Sequence, residues 1–476
     1  MGSIGTGLLF AGLVILVMLV MANKMGAALI GALLLTVGVV ALTTKDADGQ
    51  NLMMKTANWS AWRTARLRGT NVYRSGPLGH TPWGTFQLPG LGAPLRISEF
   101  QDGYNRPFAL LYCPATSSYS VTLSTEPDGD ALVDREQIDV WVAKWGLWLN
   151  NLADEPGLIA ASVTVESAPE SGLRLRREVE GNLDSAAPRF AQEVLRGLVN
   201  EYPGGASSVR AYVTLTFSAF GRGSQKRMKP EDMGRDLATR LPGLTGSLSE
   251  TGAGASVPLT AQRLCELVRV AYDPAAAETI DETYAAGETP ELHWSDVGPS
   301  AAEASWDSYR HDSGFSRSWT MTAAPRGVVQ ANILGRVLAP TPEVARKRVS
   351  ILYRPIDPAR AAAIVEQDVN NETFRLTATD RPQARNRLAA RAAEATAQEE
   401  AAGAGLVNFG IIVTATVLRT EDMAEAAVTI KNLGGQAKLR LRPAYGSQDS
   451  AFAATLPLGL VLPKHVKVPV EMREKL

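Results

Sequence analysis

Asp307-Ser308-Tyr309-Arg310-His311-Asp312-Ser313 holds, in one run, the side-chain types of a hydrolytic triad. Triads are defined by geometry, and chain neighbours rarely converge on one reacting atom, so the run reads as a solvated turn. Glu126-Pro127-Asp128-Gly129-Asp130 has the look of a cation loop without the remaining ligands of an EF-type loop, and it too reads as a turn. His80, His293, His311 and His465 lie far apart, and the two cysteines, Cys113 and Cys265, are too few for a disulfide framework or a four-thiolate site. No GxxxxGK[ST] phosphate loop, no GxGxxG after an expected strand, no HExxH and no CxxC occurs. The expectation is a chain with no catalytic residue, no cofactor site and no metal site.

Composition narrows the class further. The 476 residues carry 48 Lys+Arg against 49 Asp+Glu, a net charge of -1. That balance lacks the basic surplus of a general nucleic-acid binder, so no direct nucleic-acid binding is expected. Hydrophobic residues are 45% and charged ones 20%, which gives enough apolar surface for two or three folded domains. The low cysteine content points to a reducing compartment or to indifference to redox.

Two apolar stretches dominate the N-terminus. Ile4 to Ala22 is 19 residues without a charge, Met25 to Thr44 is another 20, and Asn23 and Lys24 lie between them. Helices of that length cover about 30 Å, the thickness of a bilayer core. The expectation is a transmembrane helical hairpin over 1–45, packed through Gly7 with Ala11, Ala27 with Gly31 and Ala28 with Ala32. The cations Lys45, Lys55, Arg63, Arg66, Arg68 and Arg74 follow, so the positive-inside rule puts both termini in the cytoplasm. A signal peptide fits less well, since no basic n-region precedes the first stretch and a second follows it. The opening Met1-Gly2-Ser3-Ile4-Gly5-Thr6 matches a myristoylation pattern that a span starting so early discounts.

The rest must supply the positioning elements. Residues 46–107 read as a linker and small β region. A first α/β repeat is expected over 108–273, with strands at Phe108–Tyr112, Ser120–Thr125, Leu158–Glu166 and Val209–Phe220. Its strongest helix is Arg135 to Leu152, where Ile138, Trp141, Val142, Trp145, Trp148, Leu149 and Leu152 form a buried stripe. Further helices are expected at Pro188–Glu201, Lys229–Arg240 and Thr260–Tyr272. Residues 274–315 read as a surface connector, or as a docking segment, because Trp294, Trp306 and the nearby Trp319 are costly to leave exposed. A second repeat is expected over 316–442. Its strands are Ala345–Arg354, Asn408–Leu418 and Ala437–Leu441, and its helices are one started by Asp357-Pro358, one over Pro382–Ala402 and one over Glu421–Leu433. Val213-Thr214-x-Thr216 recurs as Val413-Thr414-x-Thr416, and Glu231-Asp232-Met233 as Glu421-Asp422-Met423. The fold class expected is therefore α+β, a membrane hairpin and a cytoplasmic body of two ferredoxin-like split βαβ repeats, closed by a segment over 443–476. Arg440, Arg442, Lys464 and Lys467 make that end mildly basic, a solvated face or one that meets a partner or lipid headgroups.

Three stretches carry a resemblance: Tyr445-Gly446-Ser447-Gln448-Asp449-Ser450-Ala451-Phe452-Ala453-Ala454-Thr455-Leu456-Pro457-Leu458-Gly459, then Ser305-Trp306-Asp307 with Asp312 and Trp319 leading to Pro325, and Tyr353-Arg354-Pro355 with Asp357, Pro358, Glu366 and Phe374. The first two resemble the N-terminal, non-catalytic domain of the assembly ATPase of bacterial type IV secretion and conjugation machines. In that family a similar Leu-Pro-Leu-Gly stretch closes the domain before the ATPase core. The third is similar to actinobacterial conjugative-element membrane proteins, and the N-terminal hairpin resembles the small two-span inner-membrane subunit. Without a phosphate loop, no catalytic residue carries over. The resemblance implies a non-enzymatic, membrane-anchored structural subunit in the bacterial cell membrane that docks a separately encoded ATPase to the inner-membrane channel. Its implied partners are that ATPase, other inner-membrane secretion subunits, the lipid bilayer and further copies of itself. The implied partner contact is Tyr445, Gln448, Phe452, Leu456, Pro457 and Leu458, with closure of the protein's own core as the rival role for these residues. A type VII secretion membrane component of the EccE kind is the alternative reading, and a membrane-bound enzyme is a third that lacks a convergent set of reactive groups.

Overall fold

The computed structural model describes residues 3–43, 52–77, 79, 81–127, 129, 133–169, 178–184, 186–201, 207–221, 226–325, 329–378 and 383–466, with side chains in the N-terminal hairpin described over 9–40. Helix α1 (Ser3–Met21) turns at Asn23 into α2 (Met25–Thr43). A Cβ on Gly12 would lie 2.3 Å from Leu35, which is why a small residue stands at that crossing. The outward side chains Phe10, Met18, Leu29 and Leu34 are exposed. Among the described residues, no helix is long and apolar enough to cross a membrane. A bilayer core needs about 20 apolar residues in one helix. The expected two-span anchor, and with it a multi-pass membrane location with both termini cytoplasmic, is corrected on that ground. Helix α3 (Leu52–Leu67) follows and leads into β1 (Val72–Arg74).

The body is built on one antiparallel sheet. Its first half has β2 (Arg96–Gln101), β3 (Pro107–Cys113), β4 (Ser118–Glu126), helix α4 (Arg135–Asp154), β5 (Leu158–Pro169), α5 (Arg189–Glu201), β6 (Ser207–Ser218), α6 (Pro230–Leu248), β7 (Ala255–Pro258) and α7 (Ala261–Tyr272). After α8 (Ala276–Ala285), the second half has β8 (Ala301–Ala304), β9 (Tyr309–His311), β10 (Gly314–Ala323), α9 (Gly335–Leu338), β11 (Arg346–Pro355), α10 (Pro358–Thr377), α11 (Ala384–Ala401), β12 (Val407–Val417), α12 (Met423–Gln436), β13 (Arg440–Pro443), α13 (Gln448–Ala454) and α14 (Leu462–His465).

Among the described residues, 13 strands run in the order β1-β8-β9-β10-β12-β11-β5-β6-β4-β3-β2, with β13 beside β10 and β7 beside β4. The expectation of a hairpin followed by two separate ferredoxin-like units is therefore corrected to one continuous sheet. The joint is the β5–β11 pair, where Val165 faces Val349 and Ala161 faces Tyr353. An unpaired strand edge seeks a partner, and these two long edges meet each other. Local neighbour order is nonetheless repeated, as β7-β4-β6-β5 in one half and β13-β10-β12-β11 in the other. The units with the matching letters, β6 with α6 and β12 with α12, occupy equivalent places.

Strand alternation sends the two sheet faces into different cores. Val213, Leu215 and Phe217 join Trp148 and Leu152 of α4 and Leu237 and Leu241 of α6. The expected α4 stripe holds there, with Trp145 stacked on Trp148 at 4.9 Å, except that Val142 is exposed. Val413, Ala415 and Val417 meet Ala426 and Ile430 of α12 on the same face. The opposite face is covered by α7 and by α13 with the segment after it. The 274–315 stretch does more than connect, since it adds β8 and β9 to the sheet. Asp357 caps α10 as its sequence implies, accepting from the Ala359 amide at 2.9 Å.

Candidate functional site

The region with the most polar organisation lies on the second face, under the chain segment 444–461. Period-2 alternation turns Thr214, Thr216, Thr414 and Thr416 to this face, which explains why Thr-x-Thr recurs in both halves. All four are buried, and each side chain finds a partner. Thr122 and Thr214 hydroxyls lie 3.1 Å apart, Ser318 and Thr414 2.8 Å, Ser316 and Thr416 2.7 Å, and Thr164 and Ser350 2.8 Å. A row of hydroxyls thus crosses the middle of the sheet and the joint between its halves.

The closing segment satisfies this row with its backbone. The Ser350 hydroxyl donates to the Thr455 carbonyl at 3.1 Å, Thr122 to Pro457 at 2.8 Å, Ser120 to Leu458 at 3.0 Å and Thr216 to Gly459 at 3.3 Å. Buried carbonyls need partners, so a non-helical, non-sheet segment at this depth depends on the side chains beneath it. Gln448 has a separate task. Strand β10 pairs with β9 through residues 314–316 and with β13 from Trp319 onward, leaving Ser318 without a strand on that edge. The Gln448 amide fills the gap, accepting from the Ser318 N–H at 2.8 Å and donating to the Ser318 carbonyl at 3.3 Å.

The partner-contact residues inferred from sequence therefore divide. Gln448 and Phe452 are 0% exposed, Leu456 2% and Leu458 1%, and Pro457 is buried. Phe452 sits among Tyr272, Tyr309 and His311 with ring centroids 4.7–5.2 Å away, and the Arg348 guanidinium lies 4.6 Å above its ring. These five side chains close the protein's own core and offer no surface to a partner in the folded chain. Tyr445 alone remains partly open, at 37% exposure, stacked on Trp306 at 5.6 Å. Trp306 in turn meets Trp62 of α3 at 5.5 Å. Gly446, with φ +71, passes so close that a Cβ would lie 2.8 Å from Trp306.

Charges converge on the same joint. Glu166 on β5 is buried and pairs with Arg346 at 3.0 Å, while Arg348 sits across the register from it. Burial alone would raise the Glu166 carboxyl, and the Arg346 and Arg348 charges outweigh it, holding it below its ordinary value. Burial pushes Arg348 down to about 10.

The seven-residue polar run is taken apart by the fold. Asp307 pairs with Arg317, and Asp312 with Arg269 at 3.4 Å. Ser313 donates to Asp273, and His311 turns inward between the Tyr272 carbonyl at 2.6 Å and the Ser316 hydroxyl at 2.7 Å. Burial lowers His311 to about 4, so it is neutral near pH 7, accepting from Ser316 and donating to the carbonyl. The His–Ser contact is sealed in the core, where no substrate reaches it. Cys265 is buried and pushed up to about 12, a thiol with no thiolate to react. Among the described residues, no group of three or more His, Cys, Asp or Glu side chains could hold a metal. An open cleft of about 820 Å3, lined by Gln330, Asn332, Arg336, Gln436 and Lys438, was not anticipated from sequence. The hydroxyl row was missed as well, although its signal, the repeated Thr-x-Thr, was visible.

Residues 1–54 match a family described as a domain of unknown function (DUF8461). No curated protein matches the chain.

Proposed function

We propose that the protein is a non-enzymatic structural subunit of a type IV secretion or conjugation apparatus, which holds a separately encoded ATPase at the channel. A membrane anchor is no part of this reading. The observation that supports it is the seating of Tyr445–Gly459. The stretch that resembles the end of the ATPase family's N-terminal domain is here the last layer laid on the sheet, its carbonyls held by hydroxyls from both halves. The chain then leaves the sheet at α14, whose Leu462 packs against the cluster of Ile412, Ala444, Ala451 and Ala454.

The test is co-expression of the full chain with the conjugation ATPase of the same genome, followed by purification through a tag on either one. The reading expects a stable complex that Tyr445→Glu weakens while the body keeps its fold. Failure of the two proteins to associate at any salt concentration would overturn it.

A further inference from the structure

We propose that α3 is a docking face for an anionic lipid surface, a contact that lies on the membrane and does not span it. The inward stripe of α3 is narrow. Asn58, Trp62 and Ala65 are half-buried, with Trp62 tied to Trp306, and the neighbouring positions are exposed. Leu52, Lys55, Trp59, Arg63 and Arg66 are spaced 3, 4, 4 and 3 residues apart, so helical periodicity places them on one outward face. Arg63 lies over the Trp59 ring at 5.1 Å and Arg66 over Trp62 at 5.6 Å, so each cation is held against an aromatic face.

The charge of this face is one-signed over a long stretch. No Asp or Glu occurs from Gly49 to Ser98, while Lys55, Arg63, Arg66, Arg68, Arg74 and Arg96 do. In a chain whose overall charge is -1, that asymmetry is local. A helix with Trp and Leu among Arg and Lys fits the headgroup layer, where the ring enters the interface and the cations meet phosphates. Nucleic acid would also attract the cations, but the Trp and Leu side chains in the stripe are better matched by lipid.

The experiment is flotation of the full chain with vesicles of phosphatidylcholine alone and of phosphatidylcholine mixed with phosphatidylglycerol. The apolar α1–α2 hairpin can contribute to both, so the quantity read is the preference for the anionic vesicles. Removing one cation near an anionic surface weakens binding about fivefold. The double variant Arg63→Gln, Arg66→Gln should therefore lose on the order of thirtyfold of that preference. The double variant with Lys at the same two positions should keep most of it, which separates charge from folding. Equal binding of the native chain to both vesicles, or a Gln variant as selective as the native chain, would overturn the proposal. So would duplex DNA binding α3 as tightly as the anionic vesicles do, which assigns the face to nucleic acid.

Discussion

Gly459 passes over Ser120 with no room for a side chain: a Cβ on Gly459 would lie 2.4 Å from the Ser120 Cβ and 2.6 Å from the Thr216 hydroxyl. Its φ of +68 adds a second reason for glycine. The contact joins the last segment of the chain to the first half of the sheet, across 339 sequence positions from Ser120 to Gly459. Gly459→Ala should lower stability by about 2–4 kcal/mol through overpacking and backbone strain together. Chemical denaturation checks it, with a lower midpoint and an unchanged slope. A loss below about 0.5 kcal/mol would mean the closing segment is not held as described.

Leu458→Asp separates the two roles of the closing segment. Leu458 is buried in the cluster that holds Phe452 and Tyr272, so an unpaired carboxylate there should cost several kcal/mol. Thermal unfolding of the full chain reads the loss. A variant as stable as the native chain that fails to hold the ATPase would return Leu458 to the surface.

Glu166→Gln should cost about 3–5 kcal/mol, because it leaves the buried Arg348 and the half-buried Arg346 without a compensating anion. Glu166→Gln combined with Arg346→Met should recover part of that loss, a coupling that a double-mutant cycle in denaturant measures.

Stability should fall as the solution is acidified from pH 6.5 toward pH 4. His311 has its ordinary value of 6.5 when unfolded and about 4 when folded, so between the two the unfolded chain binds the extra proton. The sign makes this contribution fully present above 6.5 and lost progressively below it, on the order of 3 kcal/mol by pH 4. The Glu166 carboxyl, lowered in the folded state, adds its own loss only below its unfolded value of 4.5. His311→Gln should flatten the upper part of this profile, which unfolding midpoints measured against pH will show.

The full chain should not hydrolyse ATP or GTP, given that its 476 residues contain no phosphate loop. Hydrolysis that follows the protein through purification, and is lost on changing one of its residues, would contradict this.

What the sequence determined by itself is the local layer. The alternation in Val213-Thr214-Leu215-Thr216-Phe217 marks a strand with one apolar and one hydroxyl face, and the structure has β6 there with both faces buried. The α4 stripe, the Asp357 cap and the repeated strand–helix order were legible for the same reason: each depends on residues a few positions apart. Tertiary structure decided which edges meet, and Val165 pairing with Val349 rests on contacts that no local period encodes. The same limit applies to the closing segment. Phe452, Leu456 and Leu458 read equally well as a docking surface or as core, because apolar side chains carry no sign of which apolar surface will cover them. The hydroxyls of Ser120, Thr122, Thr216 and Ser350, brought under the segment by the sheet, supplied the partners its carbonyls needed and turned it inward.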